Sequence, residues 1–142
     1  MIKNIYGAIK RSWIDWANKT NTDKMIIGIS GGKDSSVVAA AAVDIFGKEN
    51  VIGVLMPQYF QSDINYSKEL VKFLGIDSLT IDIGKPVESI IVEFVVHTNK
   101  ILISDNTLIN LPARIRMSTL FAVAQSAGKL IRVLSEIKIL LV

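Results

Sequence analysis

The segment Met25-Ile26-Ile27-Gly28-Ile29-Ser30-Gly31-Gly32-Lys33-Asp34-Ser35-Ser36 limits what this chain can fold into more than any other. An uncharged apolar run empties into paired glycines, and an alanine-rich stretch follows at once. A run that is apolar at every position suits a strand covered on both faces, as parallel sheets provide. A helix starting directly after that strand returns the chain over the sheet and builds a βα unit. The same turn leaves the N–H groups of the helix's first turn aimed past the strand end, where they favour an anion. Gly31 and Gly32 allow the main chain to approach a phosphate that a Cβ would obstruct. Ser30, Ser35 and Ser36 offer hydroxyl donors, and Lys33 offers positive charge. Asp34 would repel phosphates unless a cation intervened, and Mg²⁺ binds through one or two carboxylates plus substrate phosphates. The Ser-Gly-Gly-Lys-Asp-Ser turn is therefore read as a nucleoside triphosphate site, with Asp34 as the ligand of Mg²⁺. A tight βα turn with Asp34 or Ser35 capping the helix is the plainer alternative. The loop is not Gly-x-x-x-x-Gly-Lys-Ser/Thr, nor the Gly-x-Gly-x-x-Gly dinucleotide fingerprint.

The rest of the chain repeats the alternation. An amphipathic helix is expected over 2–18, with Ile2, Ile5, Ile9, Trp13 and Trp16 sharing a face, then a polar loop to residue 23. A strand over 24–29 and a helix over 34–46, closed by Gly47, come next. The second strand covers 51–56 and stops at Pro57, and a helix over 62–73 carries Ser62 as its cap and Gly75 beyond its end. The spacing of Leu79, Ile81 and Ile83 predicts a third strand over 78–83. Helices over 86–96 and 111–127 follow, the latter ended by Gly128, and 129–134 suits a fourth strand. Strand and helix in strict turn imply an α/β, Rossmann-like parallel sheet with helices on both faces, as one domain over 1–142. Ligands of such sheets lie at the carboxyl ends of the strands, where both the glycine loop and Met56-Pro57-Gln58 fall. No uncharged apolar run approaches the ~18 residues of a membrane helix, and no signal peptide is read at the N-terminus. The chain has no cysteine, which excludes disulfides and thiolate sites and fits a reducing, cytoplasmic location. A net charge of +3, unclustered, suits anionic substrates and gives no footprint for nucleic acid.

The Ser-Gly-Gly-x-Asp-Ser loop resembles the pyrophosphate loop of the N-type ATP pyrophosphatases, whose fold is adenine-nucleotide α-hydrolase-like. Three further segments narrow the resemblance: Gly53-Val54-Leu55-Met56-Pro57; Gln61-Ser62-Asp63; and Asn110-Leu111-Pro112-Ala113-Arg114-Ile115-Arg116-Met117-Ser118-Thr119-Leu120, running on to Ala122-Val123-Ala124-Gln125-Ser126. Together they are similar to the ammonia-dependent NAD⁺ synthetases over residues 2–126. The resemblance implies a ligase with ATP and Mg²⁺ as cofactors and deamido-NAD⁺ and ammonia as substrates. The nicotinate carboxylate would attack ATP, releasing pyrophosphate, and ammonia would then displace AMP. It further implies that Gly28, Ile29, Ser30, Gly31, Gly32, Lys33, Asp34 and Ser35 hold the ATP phosphates. Leu55, Met56 and Gln61 would neighbour the adenine, and Arg114 would contact deamido-NAD⁺ with Arg116 close by. Arginines two apart on a helix point in different directions, so both cannot line one pocket. Met56 equally suits a core, and Gln61 equally suits loop closure. His97 at a helix end suits contact with terminal carbonyls. The resemblance also implies a homodimer through the arginine-bearing helix.

Residues 127–142 depart from the family pattern. A metal-site turn of Asn-Leu-Ser-Glu type and a substrate loop of Thr-Lys-Tyr-Gly-Asp type are expected there and not found, and Ser135-Glu136 is not read as a ligand. The fold is therefore expected to be C-terminally incomplete, through a frameshift or premature stop or as a genuine short protein. Another amidating or thiolating ATP pyrophosphatase, or a non-catalytic ATP-binding or assembly module, are the alternatives in function.

Overall fold

A computed structural model describes residues 2–22, 24–61, 64–98, 101–127 and 132–134. The elements run α1 (Ile2–Thr20), β1 (Met25–Gly28), α2 (Lys33–Phe46), a single 3-10 turn (Lys48–Asn50), β2 (Val51–Leu55), α3 (Ile64–Leu74), β3 (Asp77–Thr80), α4 (Gly84–His97), α5 (Asp105–Ser126) and β4 (Arg132–Leu134). The strands form one parallel sheet in the order β3-β2-β1-β4. The expected α/β architecture, a parallel sheet with helices on both faces, is what the chain adopts. The cap at Ser62, the loop end at Asp23, the stop at Gly128, residues 129–131 of the fourth strand and the Ser135-Glu136 pair lie outside the described residues.

The continuous apolar strands feed two cores, because successive side chains point to opposite faces. Met25, Ile27 and Ile29 join Val51 and Leu55 in a core completed by Trp13 of α1, Val38, Ala39 and Ala42 of α2 and Val71 of α3. Ile26, Val54 and Met56 face the other way, onto Val87 of α4 and Leu120 and Ala124 of α5. On the first side, α1 is fastened to α2 by Trp13 stacked on Phe46, with ring centroids 6.4 Å apart. Asp44 Oδ2 adds to this by accepting from the Tyr6 hydroxyl at 2.6 Å and from Lys10 Nζ at 3.0 Å.

Two elements differ from the sequence reading. α5 begins at Asp105, six residues before the expected start at 111, with Pro112 inside it. Ser104 caps it, its hydroxyl accepting from Thr107 N, and Asp105 adds negative charge to the first turn. The helix therefore starts at the Ser104 cap, a full turn and more before the expected residue 111. β3 lies at the sheet edge, and all four of its residues, Leu79 included, are exposed. Its backbone pairing outlasts the strand: Ile81 N donates to Leu55 O at 2.9 Å and Ile83 N to Pro57 O at 2.8 Å.

The chain moves from β1 outward to β2 and β3 over one face, then returns beneath the other face to place β4 on the opposite side of β1. The reversal of direction falls beside β1. In open parallel sheets that switch point opens the crevice that receives ligands, so the glycine loop leaves the sheet at its ligand end.

Candidate functional site

The loop is held in shape by its own backbone and hydroxyls. Gly31 has φ +77°, a left-handed conformation that costs a non-glycine residue about 1–2 kcal/mol. Around it the serines close a ring. Gly32 N donates to Ser30 Oγ at 3.3 Å, Ser30 and Ser35 hydroxyls lie 2.9 Å apart, and Ser35 Oγ donates to Gly32 O at 3.0 Å. Each hydroxyl carries one proton. The Ser35 proton is committed to Gly32 O, so the Ser30 hydroxyl donates to Ser35. Ser36 Oγ also donates to Gly32 O, at 2.8 Å. These hydroxyls brace the loop from within. In the first turn of α2 the N–H groups of Lys33, Asp34 and Ser35 precede any possible i−4 carbonyl partner, an arrangement that could accept an anion. The Lys33 and Asp34 side chains flank that turn and are exposed.

Gly28, the last residue of β1, stands where the second core meets the loop. A Cβ there would lie 3.2 Å from Leu120 Cδ1 and 3.3 Å from Met56 Cε, inside ordinary carbon contact. The side chain of Ile29 is buried in the first core, so only its backbone belongs to the loop. Its N–H donates to Val54 O at 2.9 Å, and its carbonyl accepts from the buried Ser67 hydroxyl of α3 at 3.4 Å.

The structure sorts the remaining candidates by side. Leu55 and Met56 are buried, one in each core, so they support the β2 end from beneath. Gln61 is half-buried in the loop that follows. The two arginines part as their spacing requires. Arg116 reaches back to the sheet, its Nε donating to Met56 O at 3.1 Å. Arg114 is exposed, and with Asn106, Thr107, Asn110 and Leu111 it lines a shallow depression of about 270 Å³ along α5. Arg116 is thus the arginine tied to the carboxyl edge of the strands. His97 pairs with Glu93 one turn earlier, Nε2 to carboxylate at 3.1 Å.

Sequence reasoning missed a third part of this edge. Tyr59 has φ +56°, donates its N–H to Asp82 Oδ1 at 3.2 Å, and hydrogen-bonds through its hydroxyl to Glu88 of α4. The Glu88 carboxylate holds the Tyr59 phenol above its usual range, burial adding a little and Asp82 contributing charge. No motif announces this group, because its members are spread over three segments. Among the described residues, no three His, Cys, Asp or Glu side chains are grouped to hold a metal ion by themselves. No helix among them is long and apolar enough to cross a membrane.

Comparison with known proteins supplies a family. The family model described as NAD synthase matches residues 5–137, past Ser126 where the motif resemblance was read to end. A glutamine-dependent NAD(+) synthetase of Aquifex aeolicus is 40% identical over 123 residues, covering 84% of this chain and 21% of that protein. An NH(3)-dependent NAD(+) synthetase of Pyrococcus furiosus is 33% identical over 118 residues, covering 83% of this chain and 44% of its own length. The solved glutamine-dependent NAD+ synthetase of Acinetobacter baumannii, in complex with adenosine diphosphate, superposes with a TM-score of 0.78 at 28% identity. It covers 89% of this chain and 24% of that one. The chain thus spans less than half the length of each of these relatives.

Proposed function

The chain belongs to the NAD synthase family, and from that premise we propose that it carries the ATP-binding part of a ligase that amidates deamido-NAD⁺ with ammonia. The observation that carries this reading is the preshaped loop Gly28–Ser35, set at the switch point of a parallel sheet with a helix N-terminus beyond it. In the proposed reaction a nicotinate carboxylate oxygen bonds to the α-phosphorus of ATP, and the bond to pyrophosphate breaks. Ammonia then bonds to the carbonyl carbon, AMP leaves, and a proton is released. Such chemistry depends on positioning and charge stabilisation more than on side-chain acids and bases.

The first-turn N–H groups of α2 and the Lys33 ammonium would hold the polyphosphate and offset the charge that grows on departing pyrophosphate. Asp34 fits a Mg²⁺ site of the kind completed by substrate phosphates, since its exposed carboxylate stands on that same turn. The metal would supply charge neutralisation between phosphate oxygens. Arg116, anchored on Met56 O, holds α5 against the β2 end, while Arg114 and its polar neighbours offer donors to deamido-NAD⁺ farther out. Met56 and Gln61 border the path of the adenine. The exposed apolar side chains of α4 and α5, among them Val95, Val96, Leu108, Ile109 and Phe121, suit a second copy, making a cytoplasmic homodimer our reading of the assembly.

Titration of the folded chain with ATP, with and without Mg²⁺, tests this function. Mg²⁺-dependent binding that weakens in Asp34→Asn supports it. A folded chain with no affinity for Mg-ATP sinks it. Binding without AMP formation, when deamido-NAD⁺ and ammonia are supplied, would leave a nucleotide-binding module.

A further inference from the structure

Resting on that reading, we infer that Tyr59, Asp82, Gly84 and Glu88 form a latch presenting the Phe60 ring as a stacking surface for the base of the bound nucleotide. The chain leaving β2 is first held as an extension of the strand, Leu55 and Pro57 carbonyls accepting from Ile81 and Ile83. It then turns sharply at Tyr59, in a backbone conformation that an aromatic residue seldom adopts without outside support. Support comes from both ends of the residue. Asp82 Oδ1 accepts from Tyr59 N at 3.2 Å and from Gly84 N at 2.6 Å, tying the turn to the start of α4. The phenol hydroxyl is fixed to Glu88 one turn into that helix. Between these anchors the ring lies close against Gly84, where a Cβ would come within 2.6 Å of ring atoms Cδ1 and Cε1.

The next residue is Phe60, whose side chain is 97% exposed. It contributes almost nothing to either core, yet the backbone before it is strained and pinned. That combination is what a preorganised contact requires, because the ordering cost is met before the ligand binds. Its place in the sheet names the ligand group. The glycine loop takes the phosphates beyond β1, and β2 is the adjacent strand, so a nucleotide anchored there extends its base along the carboxyl edge. A planar base needs a planar apolar partner, and stacking on an aromatic side chain tolerates any base.

The test compares two probes on the same chain, ATP and inorganic tripolyphosphate, each with Mg²⁺ and measured by calorimetric titration. Phe60→Ala is expected to weaken ATP binding on the order of tenfold or more, with Phe60→Trp restoring it and tripolyphosphate affinity unchanged throughout. Tyr59→Phe, which frees the ring from Glu88, and Gly84→Ala, which displaces it, are expected to reproduce part of the ATP loss and again spare tripolyphosphate. A merely structural role would move both probes together. Equal ATP affinity in Phe60→Ala and the unsubstituted chain, or parallel loss of both probes, overturns the inference. A chain that binds tripolyphosphate but not ATP keeps the phosphate site and refutes the stacking surface. One that binds neither refutes the proposed function itself.

Discussion

Removing the Leu120 side chain should reveal how closely α5 is coupled to the glycine loop. Leu120 is 1% exposed in the second core, and its truncation to alanine leaves a cavity that costs about 2–5 kcal/mol. Gly28→Ala alone should be mild. The new methyl sits 3.2 Å from Leu120 Cδ1 and 3.3 Å from Met56 Cε, a few tenths too close. Strain of about 1 kcal/mol is then set against a gain of roughly 0.5–1 kcal/mol from removing glycine from a strand. Combined, the changes should not add. With Leu120 shortened, the methyl introduced by Gly28→Ala is relieved of its tightest contact, only Met56 Cε remaining at 3.3 Å, and recovers the burial of one carbon, about 0.8 kcal/mol. The double variant should therefore be more stable than the sum of the single effects by about 1–2 kcal/mol. Urea unfolding of all four proteins, read at constant slope, measures that coupling. Additivity within about 0.5 kcal/mol would show that Leu120 and Gly28 do not share a contact, and the account of how α5 supports the loop would fail.

Gly31→Ala should lose about 1–2 kcal/mol at the φ of +77° and weaken Mg-ATP binding with it; an unchanged urea midpoint would contradict the left-handed backbone. Ser35→Ala breaks the hydroxyl ring and should weaken Mg-ATP binding more than Ser36→Ala, whose hydroxyl lies outside the ring. Equal effects in parallel titrations would refute a separate role for the ring. Acid should loosen α1 from α2. The Tyr6 hydroxyl, and then Lys10, hold the Asp44 carboxyl below its usual range. Their stabilisation is therefore complete above the ordinary carboxylate value, about 3.9, and is lost as pH falls below it. Tyr6→Phe should flatten that loss in urea midpoints measured down the acid limb. At the other extreme, the raised Tyr59 phenol keeps its latch intact up to the ordinary tyrosine value, about 10, and releases it only above.

Much of the architecture was legible in the chain because parallel strands buried on both faces advertise themselves. Met25–Gly28 and Val51–Leu55 read as uninterrupted apolar runs, and their glycine and proline exits marked the carboxyl edge. β3 was less legible, since an edge strand leaves Leu79 exposed and the alternation 79, 81, 83 carries no information about which side is covered. The start of α5 was placed at 111, six residues late, because the cap supplied by Ser104-Asp105 went unread. At the site, helical spacing foretold that Arg114 and Arg116 diverge. Which of them turns toward the sheet depended on where α5 docks, a matter for Leu120 and Ala124. The serine ring and the Tyr59 latch were hidden for another reason. Both are made by where donors and acceptors meet after folding, which residue identity alone does not specify.

The strand order also sets a sequence of events in time. Met25 pairs with Val51 on one side and with Arg132 on the other, so the second pairing closes a loop about four times longer. Two doublings of loop length add about 1.2 kcal/mol of closure entropy. The β1–β2–β3 run of crossovers therefore has a head start, and β4 is a late arrival that completes the crevice wall beside the glycine loop. A nascent or partly unfolded chain would expose that flank of β1 first and cover it last. Hydrogen exchange should find the amides between β1 and β4 opening before those between β1 and β2.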